Sequence, residues 1–336
     1  MRTAPLLAAL LLMASPALAQ TEPQPSSPQA QPQPQAQPQP QAQPQPQGQS
    51  EPQAQPQAQP QAQPQSGAQP AAQPQPQGQP QGQAQPQVQA CTTPTDPAGF
   101  PAWLENFKKD AAARGIGAQG MAALEGVTYD PKVIGLDRAQ RKTFSQTFEE
   151  FSGRMVNAYR IKRGKQVIKK YQAVFDKAEA EYGVQAPIIA SLWALETDFG
   201  ANVGKFESIR SLATLSFDCR RGDKFRPELI AALTIVDKGD VPLHEMRGAW
   251  AGEIGQVQFM PTSYLKHAVD FDGDGHKDLV KSQADVIGSV AKFLSGRWQR
   301  GAGWNPGEPN FDALKAWNGS ELYRKTVALL ATKIAE

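Results

Sequence analysis

Gly248-Ala-Trp-Ala-Gly-Glu-Ile-Gly-Gln-Val-Gln-Phe-Met-Pro-Thr-Ser-Tyr264 is the stretch on which the reading of this chain turns. Small residues alternate with polar ones, then come an aromatic and a proline able to open a helix. Glycines let the backbone approach a ligand closely, while amide and aromatic groups line the approach. Upstream lies Leu192-Trp-Ala-Leu-Glu-Thr-Asp-Phe-Gly200, where Glu196 interrupts an otherwise apolar helical run. Leu192, Trp193 and Leu195 give that carboxylate a hydrophobic setting. Desolvation disfavours the charged form, so the pKa of Glu196 should rise. A raised pKa suits a group that must hand a proton to a glycosidic oxygen. The same residue also reads as a solvated Glu on an amphipathic helix, and the window alone leaves both open.

Helical signals dominate the surrounding chain. Apolar residues at helical spacing predict helices over 101–114, 157–182, 187–199, 207–217, 285–294 and 321–334. Pro187 falls in a first turn, where its missing N–H is harmless. Pro227 is expected to open a helix closed by Gly239, and Pro261 a short one. No alternating strand pattern stands out, although a small β element near the Asp-rich loop at 270–278 is not excluded. The class is mostly α.

The two ends of the sequence differ sharply. Arg2, the apolar run Leu6–Met13 and Ala17-Leu18-Ala19 read as a secretion signal over 1–19. Residues 20–90 are almost wholly Pro, Gln and Ala. They lack the large apolar side chains that offset chain entropy, so a disordered Pro/Gln-rich linker is expected. In polyproline II, at about 3.1 Å per residue, it would reach up to roughly 200 Å. Residues 91–336 have the size of one large domain or two small lobes. The formal net charge of +2 implies no strong field for nucleic acid or an anionic membrane. No apolar stretch in the mature chain is long enough for a transmembrane helix. The two cysteines, Cys91 and Cys219, suggest a disulfide in an oxidising compartment, with two free thiols as the competing reading.

Asp270-Phe-Asp272-Gly-Asp274-Gly-His276-Lys-Asp278 matches the start of an EF-hand-type Ca²⁺ loop. His276 would offer its backbone carbonyl. Lys281 occupies position twelve instead of the usual bidentate Glu, which rules out a standard EF-hand; Asp285 could close the site. A solvated acidic turn is the alternative. Zinc is not expected, since His244, His267 and His276 lack ligand spacing.

Together, Glu196-Thr-x-Phe-Gly200 and Gly255-Gln-x-Gln-Phe-Met-Pro261 resemble the lytic murein transglycosylases of the membrane-bound lytic transglycosylase B family. The resemblance spans roughly residues 98–335. It implies a lysozyme-like, mostly helical fold with an additional helical lobe. It also implies non-hydrolytic cleavage of the β-1,4 bond between N-acetylmuramic acid and N-acetylglucosamine in peptidoglycan, giving 1,6-anhydromuramoyl products. Glu196 takes the family's acid/base position, and one Glu carries both proton transfers. Gln258 falls where the family lines the sugar groove, although it could equally brace its own loop. Ala316-Trp317-Asn318 and Tyr323 resemble a closing Tyr-Asn element, with Trp317 in place of Tyr. Asn318 reads either as a substrate contact or as a turn residue, and Tyr323 as a substrate contact or core. The family also shows an EF-hand-like loop with a late Asp at the place of 270–285. No cofactor is expected for catalysis, and any Ca²⁺ would be structural. The expected partner is a glycan strand, with a wall or envelope protein recruited through the linker as a further option. The expected location is the periplasm.

Two departures from that pattern bear on the chemistry. Ala249 stands where the family commonly has Ser, so a hydroxyl near the carboxylate is missing. Glu253 replaces a small residue; it is either a second carboxylate facing the groove or a solvated loop residue. Hydrolysis by a muramidase, or wall binding by a non-catalytic scaffold, are the competing functions.

Overall fold

Apolar residues on every face of one helix set the architecture. In α7 (Ala186–Thr197), each side chain from Ile188 to Thr197 is buried, as expected for a helix that is hydrophobic all round. The computed structural model describes residues 91, 93–139 and 146–336; the expected secretion signal over 1–19 and the expected Pro/Gln-rich linker over 20–90 lie outside them. Around α7 pack α5 (Ala158–Lys170), α6 (Gln172–Tyr182), α11 (Gln283–Ser295) and α12 (Glu321–Ala335). The short α4 (Phe148–Met155), opened by a Thr147–Glu150 capping box, closes on α12.

A second group of helices is built on the pair α8 (Ser208–Phe217) and α9 (Gly222–Asp237). Here α1 (Phe100–Ala113) and α3 (Pro131–Ala139) cover α8, while α2 (Ala118–Ala122) and α10 (Pro261–His267) cover α9. Phe100, Trp103, Tyr129 and Phe217 pack in tilted and edge-to-face pairs where α1 meets α8. This group is the additional helical lobe, and the mostly α class stands. A disulfide joins Cys91 to Cys219, pinning the first described residue to the end of α8. Among the described residues, no helix is long and apolar enough to cross a membrane.

Several boundaries differ from the sequence expectation. The helix expected over 157–182 is two helices, because Tyr171 leaves helical geometry at φ −111°, ψ 29°. The break redirects the chain: α5 packs on α7 and α12, while α6 packs on α11. Pro227 does not open α9 but sits inside it, one turn beyond its start at Gly222. Glu207 belongs to a strand rather than to α8. That strand, β1 (Phe206–Glu207), pairs antiparallel with β2 (Arg247–Gly248). The β element therefore lies at the mouth of the Gly248–Tyr264 loop and not at the Asp-rich loop.

Candidate active site

The end of α7 is held in an unusual backbone conformation. Asp198 and Phe199 have φ of 50° and 61°, and Gly200 has 85°, so two non-glycine residues occupy the left-handed region, which is costly for side chains with a Cβ. The α7 helix thus stops at Thr197, two residues before the expected end. Compensation comes from Arg160, 2% exposed, whose Nε donates to Asp198 Oδ1 at 2.6 Å. The Thr197 hydroxyl accepts the Gly200 amide at 2.9 Å.

Glu196 sits in the last turn before this corner. It is 7% exposed. The Tyr323 hydroxyl on α12 donates to its Oε1 at 2.5 Å, and the Trp317 indole Nε1 donates to the same oxygen at 2.9 Å. Among the described residues no donor reaches Oε2, yet Glu196 lines a pocket shared with Glu253, Gln258, Ser263 and Asn318. Burial pushes the Glu196 carboxyl up, opposed by the hydrogen bonds from Tyr323 and Trp317. Burial and the Glu196 charge hold the Tyr323 hydroxyl well above its ordinary range, so Tyr323 stays a donor.

The loop from Gly248 to Pro261 forms the opposite wall. Its folding requires glycine where the chain doubles back: a Cβ on Gly248 would lie 1.8 Å from the Glu253 carbonyl oxygen. A bridge between Ile254 and Phe259 closes the loop. Gln256 ties it to its surroundings. The Gln256 Oε1 accepts from the Trp193 indole at 3.1 Å, and its Nε2 donates to the Val280 carbonyl at 2.8 Å. Phe259, Phe293 and Trp317 pack in tilted and edge-to-face pairs with ring centroids 5.0–5.5 Å apart and line the same pocket. An aromatic surface of this kind can face a pyranose ring.

The residues expected from sequence fall out as follows. Gln258 lines the pocket, but its amide is engaged by protein: Oε1 accepts the Ala249 amide at 3.0 Å, and Nε2 donates to the carbonyls of Val203 and Gly255 at 3.0 and 2.7 Å. The bracing role is thus the one realised in its bonding. Asn318, 5% exposed, caps Ser320 through Oδ1 at 2.9 Å, and no described acceptor takes its Nδ2 hydrogens. That amide is free to donate into the pocket. Tyr323 meets Glu196 instead of lining the pocket. Glu253 is not a solvated loop residue: it is 4% exposed and shares the pocket with Glu196. Sequence reasoning treated Trp317 as a weakened match and passed over Gln256 and Arg160. Their roles come from partners far along the chain, which local pattern does not display.

In the Asp-rich loop, Asp270, Asp272 and Asp285 bring carboxylate oxygens within 4.8 Å of one another. Asp274 is outside this group; its Oδ1 accepts the His276 amide at 2.8 Å. The buried Asp285 accepts from the Phe271 and Asp278 amides, both at 2.7 Å.

This is a lysozyme-like helical architecture with a donor-held carboxylate, Glu196, in a polar and aromatic pocket. The chain belongs to the family defined by the transglycosylase SLT domain, whose profile matches residues 99–309. It is 40% identical over 151 residues to the membrane-bound lytic murein transglycosylase B of Escherichia coli (strain K12), covering 42% of this chain and 41% of that protein. The chain therefore matches about four-tenths of the length of that curated relative. Crystal structures of SltB3 from Pseudomonas aeruginosa in complex with NAG-NAM-pentapeptide and NAG-anhNAM-pentapeptide superpose with TM-scores of 0.67 and 0.66. Identity is 29% and 28%, over 70% of this chain and 79% of that one. The soluble lytic transglycosylase SltB1 from the same organism gives a TM-score of 0.63 at 28% identity, over 69% of this chain and 98% of that one.

Proposed function

We propose that this protein cleaves the β-1,4 bond between N-acetylmuramic acid and N-acetylglucosamine in peptidoglycan, without adding water, and leaves a 1,6-anhydromuramoyl end. One observation carries the reading. Glu196 is buried beside a pocket, and among the described residues both of its hydrogen bonds fall on Oε1 and none on Oε2. Oε2 is then the atom that carries the proton. Burial favours the protonated acid, and the Tyr323 and Trp317 bonds stabilise the charge that develops once the proton leaves. Proton donation to the bridging oxygen lets the C1–O bond break, and the C6 hydroxyl of the muramoyl sugar closes on C1 as its proton passes to a pocket carboxylate.

The donor Nδ2 of Asn318 and the Phe259–Phe293–Trp317 wall supply what a sugar with hydroxyl and acetamido groups needs for orientation. The complexes of SltB3 with both a NAM and an anhNAM ligand support this substrate class and this product. The same reading places the protein in the periplasm, which suits the Cys91–Cys219 disulfide. The carboxylates of Asp270, Asp272 and Asp285 are hard oxygen donors suited to Ca²⁺. An ion there would brace the loop that meets Gln256 through Val280 and takes no part in the proton transfer.

Hydrolysis is the reading to set against this one, because Glu253 brings a second carboxylate to the pocket, and inverting hydrolysis uses two. Digestion of purified sacculi followed by mass spectrometry separates them. Anhydro-ended muropeptides are expected; reducing ends as the main product would overturn the proposal.

A further inference from the structure

Glu253 is held in a costly position. Its neighbour Gly252 takes φ of 92° with the Leu212 side chain packed where a Cβ would stand. The Glu253 carbonyl oxygen accepts the Ser208 hydroxyl at 3.1 Å, which fixes the backbone. Its carboxylate Oε2 accepts the Ala251 amide at 3.1 Å. Burying one carboxylate beside another is unfavourable twice over, through lost hydration and through like-charge repulsion. A glutamine would keep the Ala251 bond without either cost. Burial therefore has no structural return at this position and points to chemistry.

The charged groups facing Glu253 come from two helices. Glu196 on α7 repels it, while Arg221, at the N-cap of α9, attracts it, and Lys224 on α9 lies within its field. Burial first, then the Glu196 charge, push the Glu253 carboxyl up to about 7, against its own backbone amide, the Ala251 amide and Arg221. Near neutrality it can therefore both take up and release a proton.

We infer that Glu253 is the base of the reaction: once Glu196 has given its own proton to the bridging oxygen and the C1–O bond has broken, Glu253 accepts the proton of the attacking C6 hydroxyl. The inference rests on the lytic reading above and divides between two side chains what one carboxylate would otherwise do in turn. The balance closes. The Glu196 proton moves to the leaving oxygen as the C1–O bond breaks. The C6 oxygen bonds to C1, and its proton passes to a Glu253 carboxylate oxygen. Proton transfer through pocket water from Glu253 back to Glu196 restores the starting state, with no water consumed.

The test is release of anhydro-muropeptides from purified sacculi by the wild type, Glu253→Gln and Glu196→Gln, each with a thermal melt and a pH profile of kcat/KM. Glu253→Gln should melt no lower than the wild type, lose at least about 100-fold in anhydro product at neutral pH, and lose its acid limb. If Glu196→Gln is inactive but folded Glu253→Gln keeps the wild-type rate and profile, the inference fails and the lytic reading stands. If Glu196→Gln keeps full release of anhydro product, Glu196 is not the acid and the inference fails; reducing ends as the main product of the wild type would overturn the lytic reading itself. Loss of reducing-end products alone, with anhydro products unchanged, also overturns the inference, since it would place Glu253 on water. Should Glu253→Gln not fold, the wild-type profile decides. A tenfold loss per unit below about pH 7 is expected, and a flat profile from about pH 5 to 8 counts against it.

Discussion

Tyr323 donates to Glu196 Oε1 at 2.5 Å across a sequence gap of 127 residues. The bond stabilises the charged carboxylate and so opposes the burial that raises the Glu196 pKa. It also strengthens as charge develops on Glu196 during proton donation. In Tyr323→Phe, the Glu196 carboxyl should therefore rise further, and the alkaline limb of kcat/KM should move to higher pH. A hydrogen bond to a charged group contributes about 1.5–3 kcal/mol, so the plateau rate should fall by about ten- to hundredfold. A pH–rate profile checks both. An alkaline limb that moves to lower pH would contradict the assignment of Tyr323.

Replacing Glu196 by Gln keeps the shape and both Oε1 contacts but removes the proton. Activity on sacculi should drop by about 10²–10⁴-fold. The fold should hold or gain stability, because a buried ionisable group becomes neutral. Muropeptide release and a thermal melt, run on the same preparation, separate lost chemistry from lost structure. A variant that melts normally and still turns over sacculi would remove Glu196 from the mechanism.

The apolar setting of Glu196 was legible locally, between Leu195 and Thr197 on a helix with a proline in its first turn, but the window left a solvated Glu open and the motif resemblance was needed to single it out. The groups that act on it were not legible, because Trp317 and Tyr323 lie 121 and 127 residues away in sequence. Gln258 shows the converse. Its place beside the pocket followed from the motif, but the direction of its amide depends on Val203 and Ala249, which the motif does not specify. The break at Tyr171 carries neither Gly nor Pro; it arises because two halves of one periodic stretch pack on different helices. At Pro227 the preference for a first-turn proline misled, since tertiary contacts of α9 with α8 and α10 extend the helix one turn upstream.

Stability should fall as pH rises through the range where Glu253 ionises. Its ordinary pKa of 4.5 is raised to about 7 in the fold. Between those values the folded state holds a proton that the unfolded chain has lost. The stabilisation is therefore complete below about pH 4.5 and lost as pH climbs to about 7. The shift corresponds to about 3 kcal/mol. Urea denaturation at the two ends of the range should show the wild type losing stability towards neutral pH, with Glu253→Gln showing a smaller loss. Glu196, also raised by burial, contributes in the same direction. Equal pH slopes in wild type and Glu253→Gln would contradict the burial of an ionisable Glu253.

Calcium should act on the melting point and not on the proton transfer. Asp270, Asp272 and Asp285 converge within 4.8 Å, but Lys281 stands where an EF-hand supplies a bidentate Glu. Fewer charged ligands imply weak binding, with Kd on the order of 10⁻⁴–10⁻³ M. At about ten times that Kd, linkage gives about 1.4 kcal/mol, or a rise of about 3–5 °C for a domain of this size. Asp285→Asn should abolish the rise, because Asp285 spans the loop from Phe271 to Asp278 and faces Asp270 and Asp272. The variant should also melt lower than the wild type in chelator, since its weaker acceptor serves two backbone amides. A melt in calcium against one in chelator decides the matter: coincident wild-type midpoints would mean that these carboxylates hold the loop through its amides alone.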